Sequence, residues 1–289
     1  MSGPRRPPQA RDRLLGALLR TLRRQHTTMN LMDAAHAAQI SSATLSRTEN
    51  GRRHIEIEDV AVLLTLYGVP AAQRSELINE VRADIHHFGQ WVRPFTGMSP
   101  DTALSSLETS AAAVTSWSTI AIPSLLHTQG YGIAAMIADG HPPDEAEDHW
   151  AARNDRQNAL GSTDYTAYIH ETALHTPHGG VAVLGEQLRH LAEAANRGVG
   201  VRVVRATDAV GLSGHSWTLL AFPDDPPVAH IRLHRSSVFL HGPESETYHR
   251  HTTRLRHVAL STADTGTYIR QVRARLGGDR RSLIALRQA

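Results

Sequence analysis

The 289-residue chain contains no cysteine, and its thirty basic residues include no lysine. Without a thiol it forms no disulfide, no thiolate metal site and no cysteine nucleophile. An arginine-only basic set is the bias expected of GC-rich coding, so no single arginine gains functional meaning from it. Aromatics are scarce, at 5% of residues, but 40% apolar content is enough for real cores. No run of eighteen apolar residues exists, which argues against a membrane-spanning helix. The opening MSGPRRPPQARDR lacks the apolar core of a secretory signal. These absences together predict a soluble, cytoplasmic protein with no membrane partner. The length is comfortable for two domains.

Leu31 to Arg53 is the most informative stretch, LMDAAHAAQISSATLSRTENGRR. It predicts a short helix over 31–38, a tight turn at Gln39-Ile40-Ser41 and a second helix from Ser41 or Ser42 to about Glu49. Ser41 is a good N-cap, because its hydroxyl can accept an orphan backbone N–H. Ala34, Ala35 and Ala38 let two helices cross closely, and Ile40 and Leu45 pin the second helix. Ser42, Ala43, Thr44 and Arg47 then face outward, as a recognition helix would present them to base edges. Asn50-Gly51 tolerates a left-handed backbone and closes the helix. Arg52 and Arg53 follow where the chain would pass a phosphate strand. Residues 1–55 hold ten arginines against three acids, while the whole chain nets only +2. Positive charge gathered on the segment that carries a recognition helix is the footprint expected of a protein that binds double-stranded DNA.

Residues 1–10 form a Pro/Arg tail, expected to be disordered. Residues 11–85 carry five helical patterns, among them Leu14, Leu15, Leu18, Leu19 and Leu22 at helical spacing. Polar residues with Gly and Pro predict a linker over 86–100. The remainder, 101–289, is expected to be α+β. Residues 100–140 read as mainly helical and 143–160 as a further helix. Strands are predicted over 166–169, 198–204, 217–222, 228–233 and 237–240, with helices over 181–197, 248–260 and 263–276. The expected architecture is therefore an all-α helix-turn-helix domain followed by an α+β domain with a small, mostly antiparallel sheet.

With these residues in hand, the first part resembles the Xre/lambda-repressor-type helix-turn-helix, on the strength of SRTENGRR. The second resembles the C-terminal domain of Scr1-family, antitoxin-like actinomycete regulators. That resemblance is carried by IPSLLHTQGY at 122–131, Arg153 with Arg156-Gln157, ETAL at 171–174, GEQLRHL at 185–191, the strand VGVRVVRA, the segment SWTLLAFPDDPPVAHI and a late VALS. It implies a transcriptional regulator, often acting with a small co-encoded partner protein, and no catalytic mechanism. The chain departs from the pattern at Asn30-Leu31, where Thr/Ser-Gln is usual, at Gln39 for the turn glycine, and at Ile55 for a proline. In the second part Ser124 and His127 stand for Gly and Gln, and His175-Thr176-Pro177-His178 occupies an arginine-bearing segment.

In the second domain, Leu125, Leu126 and Tyr131 are expected to line the apolar wall of a small-molecule effector pocket, and Arg153, Arg156, Gln157, Glu171 and Gln187 its polar wall. The alternative is that the ionic members only form a structural pair between Glu171 and an arginine. Nineteen histidines include the sets His170, His175, His178 and His249, His251, His257, but neither spacing is a known metal signature. No metal is expected, since no HExxH or CxxC is present either, and no cofactor, since no glycine-rich phosphate loop follows a strand. The expected function is that of a homodimeric, DNA-binding transcriptional regulator rather than an enzyme. Two other classes stand beside it: a regulator-derived enzyme that has lost DNA binding, and an antitoxin-like interaction module.

Overall fold

The computed structural model describes residues 9–83, 91–92, 94–96, 98–159, 163–196, 199–212, 214–223, 225–233 and 236–287, with backbone only for 83, 91–92, 152, 155–156, 158–159 and 277–287 among them. The tail 1–8 and part of the expected linker, 86–90, lie outside the described residues. In chain order the helices are α1 (Ala10–His26), α2 (Leu31–Ala37), α3 (Ser42–Glu49), α4 (Ile57–Leu66), α5 (Ala71–Ala83), α6 (Pro100–Glu108), α7 (Gln129–Ala138), α8 (Pro143–Ala159), α9 (Val181–Asn196), α10 (Pro243–Val258) and α11 (Thr262–Arg287). The strands are β1 (Trp91–Val92), β2 (Ala113–Ser118), β3 (Asp164–His170), β4 (Gly200–Val204), β5 (Trp217–Ala221), β6 (Val228–Arg232) and β7 (Ser237–Leu240). An N-terminal set of helices is followed by helices with a mixed sheet, the two-part architecture that the sequence predicts.

The chain divides into two compact units. Met1–Ala112 joins Leu219–Tyr248 in the first, and Ala113–Thr218 joins His249–Ala289 in the second.

In the first unit α1 is the central helix. Leu14, Leu15, Leu18, Leu19 and Leu22 are all buried, together with Leu45, Leu63 and Leu64. Each leucine removed from water in this way contributes roughly 1.5–3 kcal/mol. Gly16 lets α1 approach α3 closely, since a Cβ there would stand 2.2 Å from the Thr48 carbonyl oxygen. Gly51 makes a second close approach at φ +60°, where a Cβ would lie 2.2 Å from the Arg13 Cα. Only glycine meets both demands of that site. The expected antiparallel pairing is found here: β7 pairs with β1, Trp91 opposite Leu240, and with β6, Ile231 opposite Val238.

In the second unit β2, β3 and β4 run parallel. Parallel neighbours need long crossovers. α7 and α8 lie between β2 and β3 in sequence, and α9 between β3 and β4. Ile169, Leu184, Leu188, Leu191, Val201 and Val203 are fully buried in the core, and Ile269 of α11 joins them. Within residues 100–140, expected to be mainly helical, α6 and α7 form, but β2 occupies 113–118 between them. Its Val114, Trp117 and Ser118 are buried. The β-branched and aromatic content of AVTSWS favours a pleated surface over a helix.

Candidate nucleic-acid interface

α2 and α3 meet through a turn at Gln39, where the family pattern has glycine. Gln39 holds φ 56°, the one positive value outside glycine among the described residues. Asn30 caps α2 by accepting from the backbone N–H of Met32 and Asp33, at 2.8 and 3.0 Å. Ser41 caps α3 by accepting from Thr44 N–H at 3.0 Å. Leu45, Thr48 and Glu49 are the buried residues of α3. Ser42, Ala43 and Arg47 are exposed, and Thr44 is half-buried with its hydroxyl 2.8 Å from that of Ser41. Three of the four expected base-reading residues are therefore free to meet a ligand face on, and the fourth is engaged at the cap.

Glu49 anchors the helix from below. Its carboxylate accepts two hydrogen bonds from the Arg23 guanidinium, both 2.7 Å, and one from the Tyr67 hydroxyl at 3.0 Å. Hydrogen bonding to Glu49 raises the Arg23 pKa above its ordinary value. Burial, with Glu49 alongside, drives the Tyr67 pKa well above the ordinary phenol range. This two-pronged geometry is the strong form of a carboxylate–guanidinium pair, and it links α1, α3 and the end of α4 in one buried network. In the sequence Glu49 marks only the helix end; the signal of a buried partner is its spacing, four residues after the apolar Leu45 and so on the same face of α3.

The two expected phosphate contacts stand in different surroundings. Arg53 lies 3.2 Å from Asp59 across a half-exposed ion pair. Arg52 is exposed and lines a pocket of about 200 Å³ with Arg13, Arg20, Asn50 and Ser106. Arg20 donates to the Asn50 side chain at 3.0 Å, and burial with Arg24 nearby lowers its pKa. Arg13 is buried, 2.6 Å from Asp225, and its guanidinium lies 3.5 Å over the Phe222 ring. Burial lowers the Arg13 pKa, while Asp225 opposes that shift. The sequence offered no sign that Asp225 and Phe222 would meet α1.

In the second unit the expected pocket residues separate into two groups. The Gln187 side chain donates to Leu126 C=O and accepts from Thr128 N–H, both at 2.7 Å. Gln157 donates to the carbonyls of Ser124 and His127 at 3.0 and 3.1 Å. Both amides thus hold the main chain at 124–128. Leu125 is half-buried there, Leu126 is buried, and Tyr131 is fully buried with its hydroxyl 3.3 Å from Ile122 N–H. His127, buried, sits 2.7 Å from Ile122 C=O and makes a T-shaped contact with the Tyr131 ring. Arg153 is buried in α8, and the Arg156 side chain lies outside the described residues.

Glu171 belongs to other partners. Its carboxylate accepts from Ala206 N–H at 2.8 Å and from the Tyr268 hydroxyl. Those bonds lower its pKa, with His175 and His170 adding to the effect. Of the histidine sets considered from sequence, His170 accepts from Thr172 N–H and His257 lies against Thr253 C=O. Among the described residues, the potential metal-ligand atoms that converge belong instead to His141, Glu145 and His149, all within 4.8 Å of one another.

The profile described as "Domain of unknown function (DUF5753)" matches residues 102–271, more than half of the sequence. The chain belongs to the DUF5753 family. Residues 14–77 match a family described as "Helix-turn-helix domain", so the DUF5753 region follows a helix-turn-helix. Among solved structures, one match is the clp gene regulator ClgR from C. glutamicum, at 28% identity and TM-score 0.21, over 27% of this chain and 94% of that one. No curated protein matches the chain. No described helix of this DUF5753 protein is long and apolar enough to cross a membrane.

Proposed function

We propose that the protein is a sequence-specific, DNA-binding transcriptional regulator. One observation carries this: α3 is fixed from below by Leu45 and the Glu49–Arg23–Tyr67 network, yet leaves Ser42, Ala43 and Arg47 exposed within a segment matched by a helix-turn-helix family. A rigid helix with small side chains around one long guanidinium suits major-groove insertion. Arg47 would take guanine O6 and N7 bidentately, and Ala43 a thymine methyl. Ser42 and Thr44 would complete the base contacts, with Arg52 and Arg53 on phosphates. As a homodimer the protein would set two such helices about 34 Å apart, one turn of DNA. The second part would sense a small molecule or a co-encoded partner protein, as the Scr1-family resemblance implies.

The test is a mobility-shift and footprinting experiment on DNA upstream of the protein's own gene. Arg47→Ala is expected to lose about 1–3 kcal/mol of specific affinity and to relax preference at one base pair, with an unchanged melting temperature. Full operator binding by this variant removes Arg47 from the base contacts. Absence of any sequence-selective footprint for the unmodified protein removes the function itself.

A further inference from the structure

The segment that opens α8 reads His141-Pro-Pro-Asp-Glu145-Ala-Glu-Asp-His149. Glu145 and His149 stand four residues apart on the helix and so share a face. His141 precedes the helix, yet its Nδ1 lies 3.9 Å from a Glu145 carboxylate oxygen, and its ring makes a T-shaped contact with that of His149 at 5.4 Å. One ligand atom from each of the three residues falls within 4.8 Å of the other two.

The backbone holds His141 in place for this. Its N–H donates to Met136 C=O at 3.0 Å, just after the left-handed Gly140, and Ala146 N–H donates to Pro142 C=O at 2.9 Å to begin the helix. Pro142 and Pro143 each fix φ, and a following proline restricts His141 to extended backbone. Ala146 is fully buried and pins the first turn of α8, leaving Glu145 and His149 exposed. The three donors are thus presented outward from a constrained frame.

We infer that His141, Glu145 and His149 bind a divalent transition-metal ion of the zinc class. Bonds of about 2.0–2.2 Å put tetrahedral ligand atoms roughly 3.3–3.6 Å apart, so small rotations of the exposed Glu145 and His149 and the half-buried His141 close the site. Two imidazoles and one carboxylate favour zinc, nickel or cobalt over magnesium and calcium, which prefer all-oxygen sets. Asp139, Asp144, Glu147 and Asp148 are sequence neighbours of the three residues, while residues 139–152 contain no arginine, so the local charge favours cations. Three protein ligands leave at least one coordination position open to water or to a further donor. The bound ion ties the loop before α8 to its first two turns.

The test uses the full-length, chelator-treated protein. Calorimetric titration with ZnCl₂ is expected to show one equivalent of tight binding, with a rise in melting temperature. Cobalt(II) is expected to give visible absorption bands of low-coordinate nitrogen and oxygen ligation. His141→Ala and His149→Ala should each weaken that equivalent by more than about ten-fold. His149→Gln, which keeps side-chain size and helix propensity, should do the same without altering the far-ultraviolet circular dichroism. His249→Ala/His251→Ala is the control for the other histidines and should leave the equivalent intact. The inference falls if the tight equivalent survives the 141 and 149 variants, if it disappears in the control variant instead, if millimolar Ca²⁺ or Mg²⁺ displaces zinc, or if no tight equivalent is found.

Discussion

Gln39 is a residue held in a place that suits another. At φ 56° it occupies the left-handed region, which costs a side-chain-bearing residue about 1–2 kcal/mol. Gln39→Gly is expected to raise the stability of the helix-turn-helix by about 0.5–1 kcal/mol in urea denaturation, once the greater freedom of an unfolded glycine is discounted. A lower midpoint for the variant would mean that the Gln39 side chain earns its place through contacts. In the second unit two titrating residues set a pH dependence. His251 has its pKa lowered, first by burial and then by Arg254, Arg250 and His215. Its unfolded form therefore binds a proton that the folded form resists, and stability falls as pH drops below about 6.5. The depressed Glu171 carboxyl contributes stability that is present above its ordinary value of 4.5 and is lost on further acidification through the folded value. Melting temperature is expected to decline in two stages from pH 7 to pH 3. His251→Gln should flatten the upper stage and Glu171→Gln the lower; a single stage in the unmodified protein contradicts the assignment.

At the scale of elements, α3 and the loop after it decide how the charge is used. Arg52 is exposed among other guanidiniums, whereas Arg53 is held by Asp59. Binding DNA through Arg53 means breaking that ion pair. Asp59→Asn is therefore expected to tighten binding to every sequence alike, while Arg52→Ala lowers the salt slope by roughly one unit. Filter binding across a salt series reads both, and an Asp59→Asn variant weaker than the parent would show that the pair positions Arg53 instead. Elements with strong local patterns were also the most legible in the sequence. The cap at Ser41, the leucines of α1 and the alternation in β4 are local signals, and the chain folds as they say. β2 was missed because AVTSWS is short, follows a helix and alternates imperfectly, so its strand identity rests on pairing with β3, fifty residues on. Glu171 was expected beside an arginine, but its hydrogen bonds go to Ala206 and to Tyr268, 97 positions later. Sequence spacing reports what lies one helical turn away and is silent about partners that only tertiary folding supplies.

For the molecule as a whole, the first compact unit is assembled from two distant pieces of chain. Arg13 in the first helix meets Asp225, 212 positions later, with Phe222 beneath its guanidinium. Arg232 likewise meets Asp101 at 2.7 Å. Asp225→Ala leaves the buried Arg13 without its carboxylate and is expected to cost about 3 kcal/mol in the N-terminal helices. Hydrogen exchange of the amides of α1 measures this, and unchanged protection there would show that Asp225 is dispensable. The discontinuity also sets an order of events while the chain is being made. On the ribosome, Ala112 emerges more than a hundred residues before Leu219. At about 5–20 residues per second helices α1 to α6 wait roughly 5–20 s for the strands that complete their unit. During that interval the Arg13 side of α1 lacks Phe222 and Asp225, so a newborn chain presents α3 before the scaffold beneath α1 is finished.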